Sequence, residues 1–309
     1  MGKLKRDFLL TYLLIMDKKL LHGAHTALVT PFKEGGVNFE DFHNLLQRQI
    51  LGGVSGVVPC GTTGESPTLR KDEHLKVIEE TVNQVAGQIP VIAGTGANST
   101  EEALELTKKA DQMGADAFLL VAPYYNKPTQ EGLFQHYTQI ADQVEFPQVL
   151  YNVPGRTSCD LLPETIARLA PHENISGIKE ATGDLSRLEK LKKLIRDETF
   201  FLYSGDDATA TDFILNGGHG NISVTANVVP DLMSKLCDFA LEKSSEAKII
   251  ENKISNLNEM LFLESNPIPV KWALSRMGLI DIGIRLPLTN LSKEHQQTLQ
   301  EELLKLELI

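Results

Sequence analysis

The sequence predicts an α/β fold, a closed (β/α)8 barrel with an appended C-terminal helical region. Three observations carry that expectation. Short apolar runs of strand type recur along the chain, and the segments between them repeat apolar residues at the 3.6-residue period of a surface helix. The runs are nearly all apolar instead of alternating, which is the pattern of a parallel sheet covered on both faces. Eight such units favour closure over an open doubly wound sheet, and 309 residues suffice for one barrel.

The candidate strands are residues 27–29 (with 24–29 as the wider run), 54–60, 91–94, 117–121, 149–152, 175–179, 200–204 and 220–224. Between the first two, Phe39, Phe42, Leu45, Leu46 and Ile50 mark the buried face of a helix that Asn38 caps. Leu75, Ile78, Val82 and Val85 mark the next. Ser99 with Glu102 forms a capping-box pattern ahead of the third helix, Leu133, Phe134, Tyr137, Ile140 and Val144 trace the fourth, and Pro163 opens a later one. Past the eighth strand, residues 230–309 are helical in pattern and carry no strand signal. The expected organisation is therefore an N-terminal extension at 1–21, the barrel at 22–229 and a helical region at 230–309, with no linker or low-complexity stretch between the last two.

A net charge of −11 with no basic run argues against nucleic acid or an anionic membrane as partner. Cys60, Cys159 and Cys237 are odd in number and widely spaced, so neither a disulfide framework nor a thiolate zinc site is indicated, and a reducing cytoplasm is the expected location. Eight histidines include no HExxH and no cluster at ligand spacing, so no catalytic metal is expected. Lys3, Lys5 and Arg6 ahead of the apolar residues 8–16 resemble a secretory leader. The run is about half the length of a membrane span, and no small-residue cleavage site separates it from the first strand. Met16 is an alternative start.

The chemistry gathers where a barrel puts it, at the carboxyl ends of strands. Lys179 ends the run Ile175-Ser176-Gly177-Ile178-Lys179. A lysine held at a low-polarity strand end carries more neutral amine than one in water and can form a Schiff base with a carbonyl compound; read alone, it is equally an edge-strand lysine with its head in solvent. After the second strand, Gly61-Thr62-Thr63-Gly64-Glu65-Ser66 offers hydroxyls and exposed amides to a carboxylate. Tyr124 and Tyr125 follow the fourth strand. Tyr151 and Arg156 follow the fifth, a phenol for proton transfer and a guanidinium for a second carboxylate. Gly94-Thr95-Gly96-Ala97-Asn98-Ser99 suggests a dinucleotide loop but lacks its third glycine, and the acid about twenty residues on, Asp116, precedes the next strand instead of ending it.

Taken together, residues 61–66, 123–126, 151–157 and 177–182, with Ser204-Gly205-Asp206-Asp207 and Asn266-Pro267-Ile268-Pro269-Val270-Lys271, resemble the dihydrodipicolinate synthase family, from about His22 to the C-terminus. That family belongs to the pyruvate-dependent Schiff-base aldolases on the TIM barrel. The resemblance implies that Lys179 forms an imine with pyruvate, with no other cofactor, and that Thr62 and Thr63 hold the pyruvate carboxylate. It implies that Tyr151 shuttles protons and that Arg156 binds aspartate 4-semialdehyde, with Gly205 and Ile222 completing the substrate-binding set. The product would be 4-hydroxy-tetrahydrodipicolinate, on the route to lysine and diaminopimelate. Sister aldolases such as N-acetylneuraminate lyase or a keto-deoxy sugar-acid aldolase are the alternative.

The resemblance also implies that Tyr125 reaches a neighbouring subunit's site and links Thr63 to Tyr151. The active form would then be a homo-oligomer, a dimer of dimers by family habit. It further implies inhibition by free lysine at Ser66, Pro67, Lys71, His74, Asn98, Glu102 and Tyr124. Lys71 stands where some lysine-sensitive relatives have histidine, and His74 reads equally as part of a charged helix face.

Overall fold

The computed structural model describes residues 22–309; the leader-like residues 3–16, and the rest of the expected extension at 1–21, lie outside the described residues. Eight parallel strands run in the order β2-β1-β8-β7-β6-β5-β4-β3. They are β1 (Gly23–Ala27), β2 (Gly56–Val58), β3 (Ile92–Gly94), β4 (Ala117–Val121), β5 (Gln148–Asn152), β6 (Ile175–Glu180), β7 (Phe201–Ser204) and β8 (Gly220–Ser223). The two end strands meet across a seam: Val57 bridges Val91, and the amides of Val57 and Gly94 donate to Pro90 O at 3.0 Å and Pro59 O at 2.9 Å. The sheet is thereby a (β/α)8 TIM barrel.

Side-chain alternation along these strands builds two of the three cores. Val58, Ile92, Leu119, Val149, Tyr151, Tyr203 and Ile222 fill the barrel, while Phe118, Leu120, Leu150 and Ile178 face outward into the helical layer. That layer is α1 (Phe39–Leu51), α2 (Lys71–Val85), α3 (Thr100–Gln112), α4 (Gln130–Ala141), α5 (Pro163–Leu169), α6 (Leu185–Leu194), α7 (Ala210–Leu215) and α8 (Pro230–Leu241). Caps form where short polar side chains precede the helices: Asn38 Oδ1 accepts the Asp41 amide at 3.2 Å and Thr129 Oγ1 the Gly132 amide at 3.1 Å. Ser99 Oγ accepts the Glu102 amide at 3.4 Å, which is half of the box its sequence suggests.

Several boundaries differ from the sequence reading. β1 ends at Ala27 instead of starting there, because the Val29 amide leaves the ladder for Asn227 Oδ1 at 3.1 Å. The buried face of α2 is His74, Val77, Ile78, Thr81 and Val85, rotated from the Leu75/Val82 stripe. His74 therefore lies inside, not on a charged face. α8 begins at the expected start of the appended region, yet packs on β1, α1 and α7 and so takes the eighth place in the ring; helical periodicity alone does not say what a helix packs against. The third core joins β1 and α8 to the remaining helices, α9 (Glu246–Met260), α10 (Ile268–Arg276) and α11 (Lys293–Lys305). An unexpected two-stranded ribbon pairs Phe32–Lys33 with Gly36–Val37.

Candidate active site

At the carboxyl end of the barrel lies a cavity of about 220 Å³. Strand register puts Lys179 between Tyr151 on β5 and Tyr203 on β7, all three pointing inward. Lys179 is 5 % exposed, and its Nζ stands 4.4 Å from the centroid of the Tyr151 ring. It is therefore a central-strand lysine, not an edge one. Room for its stem exists because residue 205 is glycine: a Cβ there would sit 2.8 Å from Lys179 Cε and 2.6 Å from Ala181 Cβ.

The residue after Lys179 faces the other way and anchors the strand. Glu180 accepts from Arg187 Nε at 2.8 Å and from Asn152 Nδ2, while Arg187 also holds Asp160 Oδ2 at 3.0 Å and Leu161 O at 2.8 Å. This buried set ties β5 to β6 directly behind Tyr151 and Lys179. On the opposite wall, Asp207 accepts from the amides of Val224 and Thr225, each at 2.9 Å, fixing the loop after β8.

Thr62 and Thr63 border the cavity from the loop after β2. The loop turns back on itself through Gly64 N to Gly61 O at 3.1 Å and Glu65 N to Thr62 O at 3.1 Å, and Glu65 adopts a left-handed φ of 56°. Among the described residues, the amides of Thr62 and Thr63 donate to no protein acceptor, so both remain available to an anion. The loop is braced from the C-terminal region. Lys271 Nζ reaches Glu65 Oε1 at 2.5 Å and Thr30 O at 2.8 Å and lies 4.3 Å over the Phe32 ring. Burial holds the Lys271 ammonium below the ordinary lysine range. The Arg285 amide takes Glu65 Oε2 at 3.0 Å, and its guanidinium grips Glu73 at 2.7 and 2.8 Å.

Arg156 sits at the cavity rim on the short helical turn Pro154–Thr157, exposed and with no acidic partner among the described residues. Thr62, Thr63, Tyr151, Arg156, Lys179 and Gly205 thus share one cavity. Ile222 packs inside the barrel with Tyr151, while Val224, one strand repeat nearer the mouth, borders the cavity. Tyr125 does not border its own chain's cavity; it is 88 % exposed with φ 74°. Val224, Phe262 and Asn266 were not singled out by sequence as site residues. Asn266 lay within a quoted motif, but the rule that chemistry sits at strand ends passes over a residue more than forty positions beyond the last strand.

The remaining candidates cluster around the starts of α2 and α3. Lys71 pairs with Glu105, and His74 shares a hydrogen bond with Gly94 O at 2.8 Å. Asn98 O accepts from Asn126 Nδ2 at 2.8 Å. Burial and the nearby Glu102 carboxylate raise the half-buried Tyr124 phenol. Ser66 and Pro67 form a single helical turn just ahead of α2. Among the described residues, no group of three or more His, Cys, Asp or Glu could hold a metal ion, and no helix is long and apolar enough to cross a membrane.

The model of the "Dihydrodipicolinate synthetase family" matches residues 20–306. A 4-hydroxy-tetrahydrodipicolinate synthase of Pseudomonas savastanoi pv. phaseolicola is 56 % identical over 286 residues, covering 92 % of this chain and 98 % of that one. The chloride-inhibited dihydrodipicolinate synthase of Acinetobacter baumannii, solved with pyruvate, superposes with a TM-score of 0.91 at 53 % identity, covering 93 % of this chain and 99 % of the other. The enzyme of Cyanidioschyzon merolae, solved with lysine bound, gives 0.90 at 36 % identity, with 94 % and 99 % covered.

Proposed function

The chain belongs to the dihydrodipicolinate synthetase family, and we propose that Lys179 carries its reaction as an imine with pyruvate. The reaction is that of the 4-hydroxy-tetrahydrodipicolinate synthases: pyruvate condenses with aspartate 4-semialdehyde on the route to lysine, and the enzyme is a lyase. The observation that supports Lys179 is its position as a buried primary amine, in register with Tyr151 and opening onto a cavity walled by Thr62 and Thr63.

Lys179 Nζ attacks the keto carbon of pyruvate, and the carbonyl oxygen leaves as water after protonation through the Tyr151 phenol. The imine is the electron sink, so the chemistry calls for no other cofactor. The adjacent methyl group loses a proton to give an enamine, whose carbon attacks the aldehyde of the second substrate. The amine of that substrate then displaces Lys179 from the imine carbon, closing the ring and regenerating the enzyme. The Thr62 and Thr63 amides and hydroxyls hold the pyruvate carboxylate, and Arg156, lacking an acid of its own, takes the carboxylate of the semialdehyde.

Two finer assignments complete the reading. Tyr125, exposed on this chain, enters a neighbouring copy's site and joins Thr63 and Tyr151 in a proton relay, in a dimer of dimers. Free lysine binds at the cluster of Ser66, Pro67, Lys71, His74, Asn98, Glu102 and Tyr124 and inhibits. The central claim is tested by borohydride reduction with pyruvate followed by peptide mass mapping: the adduct belongs on Lys179 and is absent from Lys179→Arg. An adduct at one site in that variant sinks the assignment, and a panel of aldehydes reports the second substrate.

A further inference from the structure

The C-terminal region supplies the cavity with one polar side chain. Asn266, immediately ahead of α10, is 5 % exposed, borders the cavity and donates from Nδ2 to Thr63 Oγ1 at 3.0 Å. Its Oδ1 is buried and takes no donor among the described residues. A buried polar atom left in that condition calls for an explanation, and a role in the site it borders is one. Thr63 itself is 2 % exposed and the two residues that follow it are anchored: Gly64 O accepts from Thr30 Oγ1 at 2.8 Å, and the Glu65 carboxylate is fixed by Lys271 and the Arg285 amide. The backbone of Thr63 is therefore set, and what remains free is rotation of its hydroxyl.

A threonine hydroxyl has one proton and two lone pairs. When an amide N–H occupies one lone pair, the proton must point elsewhere, and from Thr63 the open direction is the cavity. We propose that Asn266 is a positioning residue that commits the Thr63 hydroxyl to donate into the cavity, toward the carboxylate of the bound keto acid. The inference rests on the reading in which Thr63 serves the pyruvate imine. It gives the C-terminal helical region a direct part in the chemistry of a site whose other polar side chains come from the barrel.

Asn266→Asp tests it, because an ionised carboxylate of nearly the same shape accepts and cannot donate. Thr63 would then turn its proton away from the cavity. In the full-length enzyme, kcat/KM for pyruvate falls at least tenfold at pH 8, while KM for aspartate semialdehyde changes less than twofold. The ratio of variant to wild-type activity rises as pH is lowered toward 6, because the introduced carboxyl, once protonated, is again a donor. Wild-type kinetics, or a ratio that does not change with pH, overturns the inference. A cycle of Asn266→Ala and Thr63→Val separates it from the reading beneath it. If Asn266 acts through Thr63, the double variant is no slower than Thr63→Val. Additive losses remove the role of Asn266 and leave Thr63 in place; a Thr63→Val enzyme with wild-type kinetics removes both. Circular dichroism checks each fold, and should the truncated variants fail to fold, the pH ratio of Asn266→Asp decides.

Discussion

Replacing Gly205 by alanine is a direct probe of how tightly the Lys179 amine, the proposed imine-forming group, is held. The added methyl would stand 2.6 Å from Ala181 Cβ, 2.8 Å from Lys179 Cε and 3.0 Å from Lys179 Cγ. Carbon atoms in ordinary contact sit at about 3.5–4.0 Å, so the overlap is about 1 Å. Ala181 Cβ is fixed to its backbone, whereas the lysine stem can swing, and Nζ moves with Cε. Misplacing a reacting atom by about 1 Å costs about 10²-fold, or roughly 2.7 kcal/mol of barrier. Overpacking costs the fold a further ~1–3 kcal/mol. Steady-state kcat/KM and the time course of borohydride-trapped adduct should fall together, with the melting temperature lowered by only a few degrees. A Gly205→Ala enzyme whose adduct forms at the wild-type rate would show that Lys179 has slack around it and would refute the packing argument.

Four further outcomes are expected. Lys271→Met leaves the buried Glu65 without its ammonium partner and should cost about 3–5 kcal/mol in denaturant unfolding, most of it recovered by adding Glu65→Gln; additive losses would deny the pair its coupling. Arg156→Ala should raise KM for aspartate semialdehyde far more than KM for pyruvate, and equal effects would remove the guanidinium from second-substrate recognition. Burial lowers His25, His136 and His219 each to about 4, from 6.5, so unfolded chains bind these protons first as pH falls. Their contribution to stability is present above pH 6.5 and is lost down to pH 4, and His25→Leu should flatten that slope in unfolding titrations. Millimolar lysine should inhibit wild type and spare Glu102→Thr; equal response of the two, or none, would take Glu102 out of an inhibitory site.

The sequence announced the barrel because most of its strands lie in apolar runs that two-sided burial explains. It misjudged β1, where glycine and histidine obscure the strand while Leu28 and Val29 imitate one. The inward His25 is legible only once Tyr203 is beside it, with ring centroids 5.3 Å apart. Strand-end residues such as Lys179, Tyr151 and Thr63 could be found locally, since each follows an apolar run. Asn266, Lys271 and Arg285 could not, because their partners are fixed by the docking of the C-terminal helices and no local pattern records it. His74 shows the same limit on a smaller scale: one residue of helix rotation decides between solvent and core.

The brace on the Thr62–Thr63 loop joins positions separated by 203, 206 and 220 residues. During synthesis at about 5–20 residues per second, the loop leaves the ribosome roughly 10 to 40 s before the side chains that hold it. A nascent chain can thus wind its first strands and helices while the loop after β2 still lacks those contacts. Termination before residue 266 would remove all three of these contacts, together with the part of the third core that α10 and α11 supply to β1 and α8.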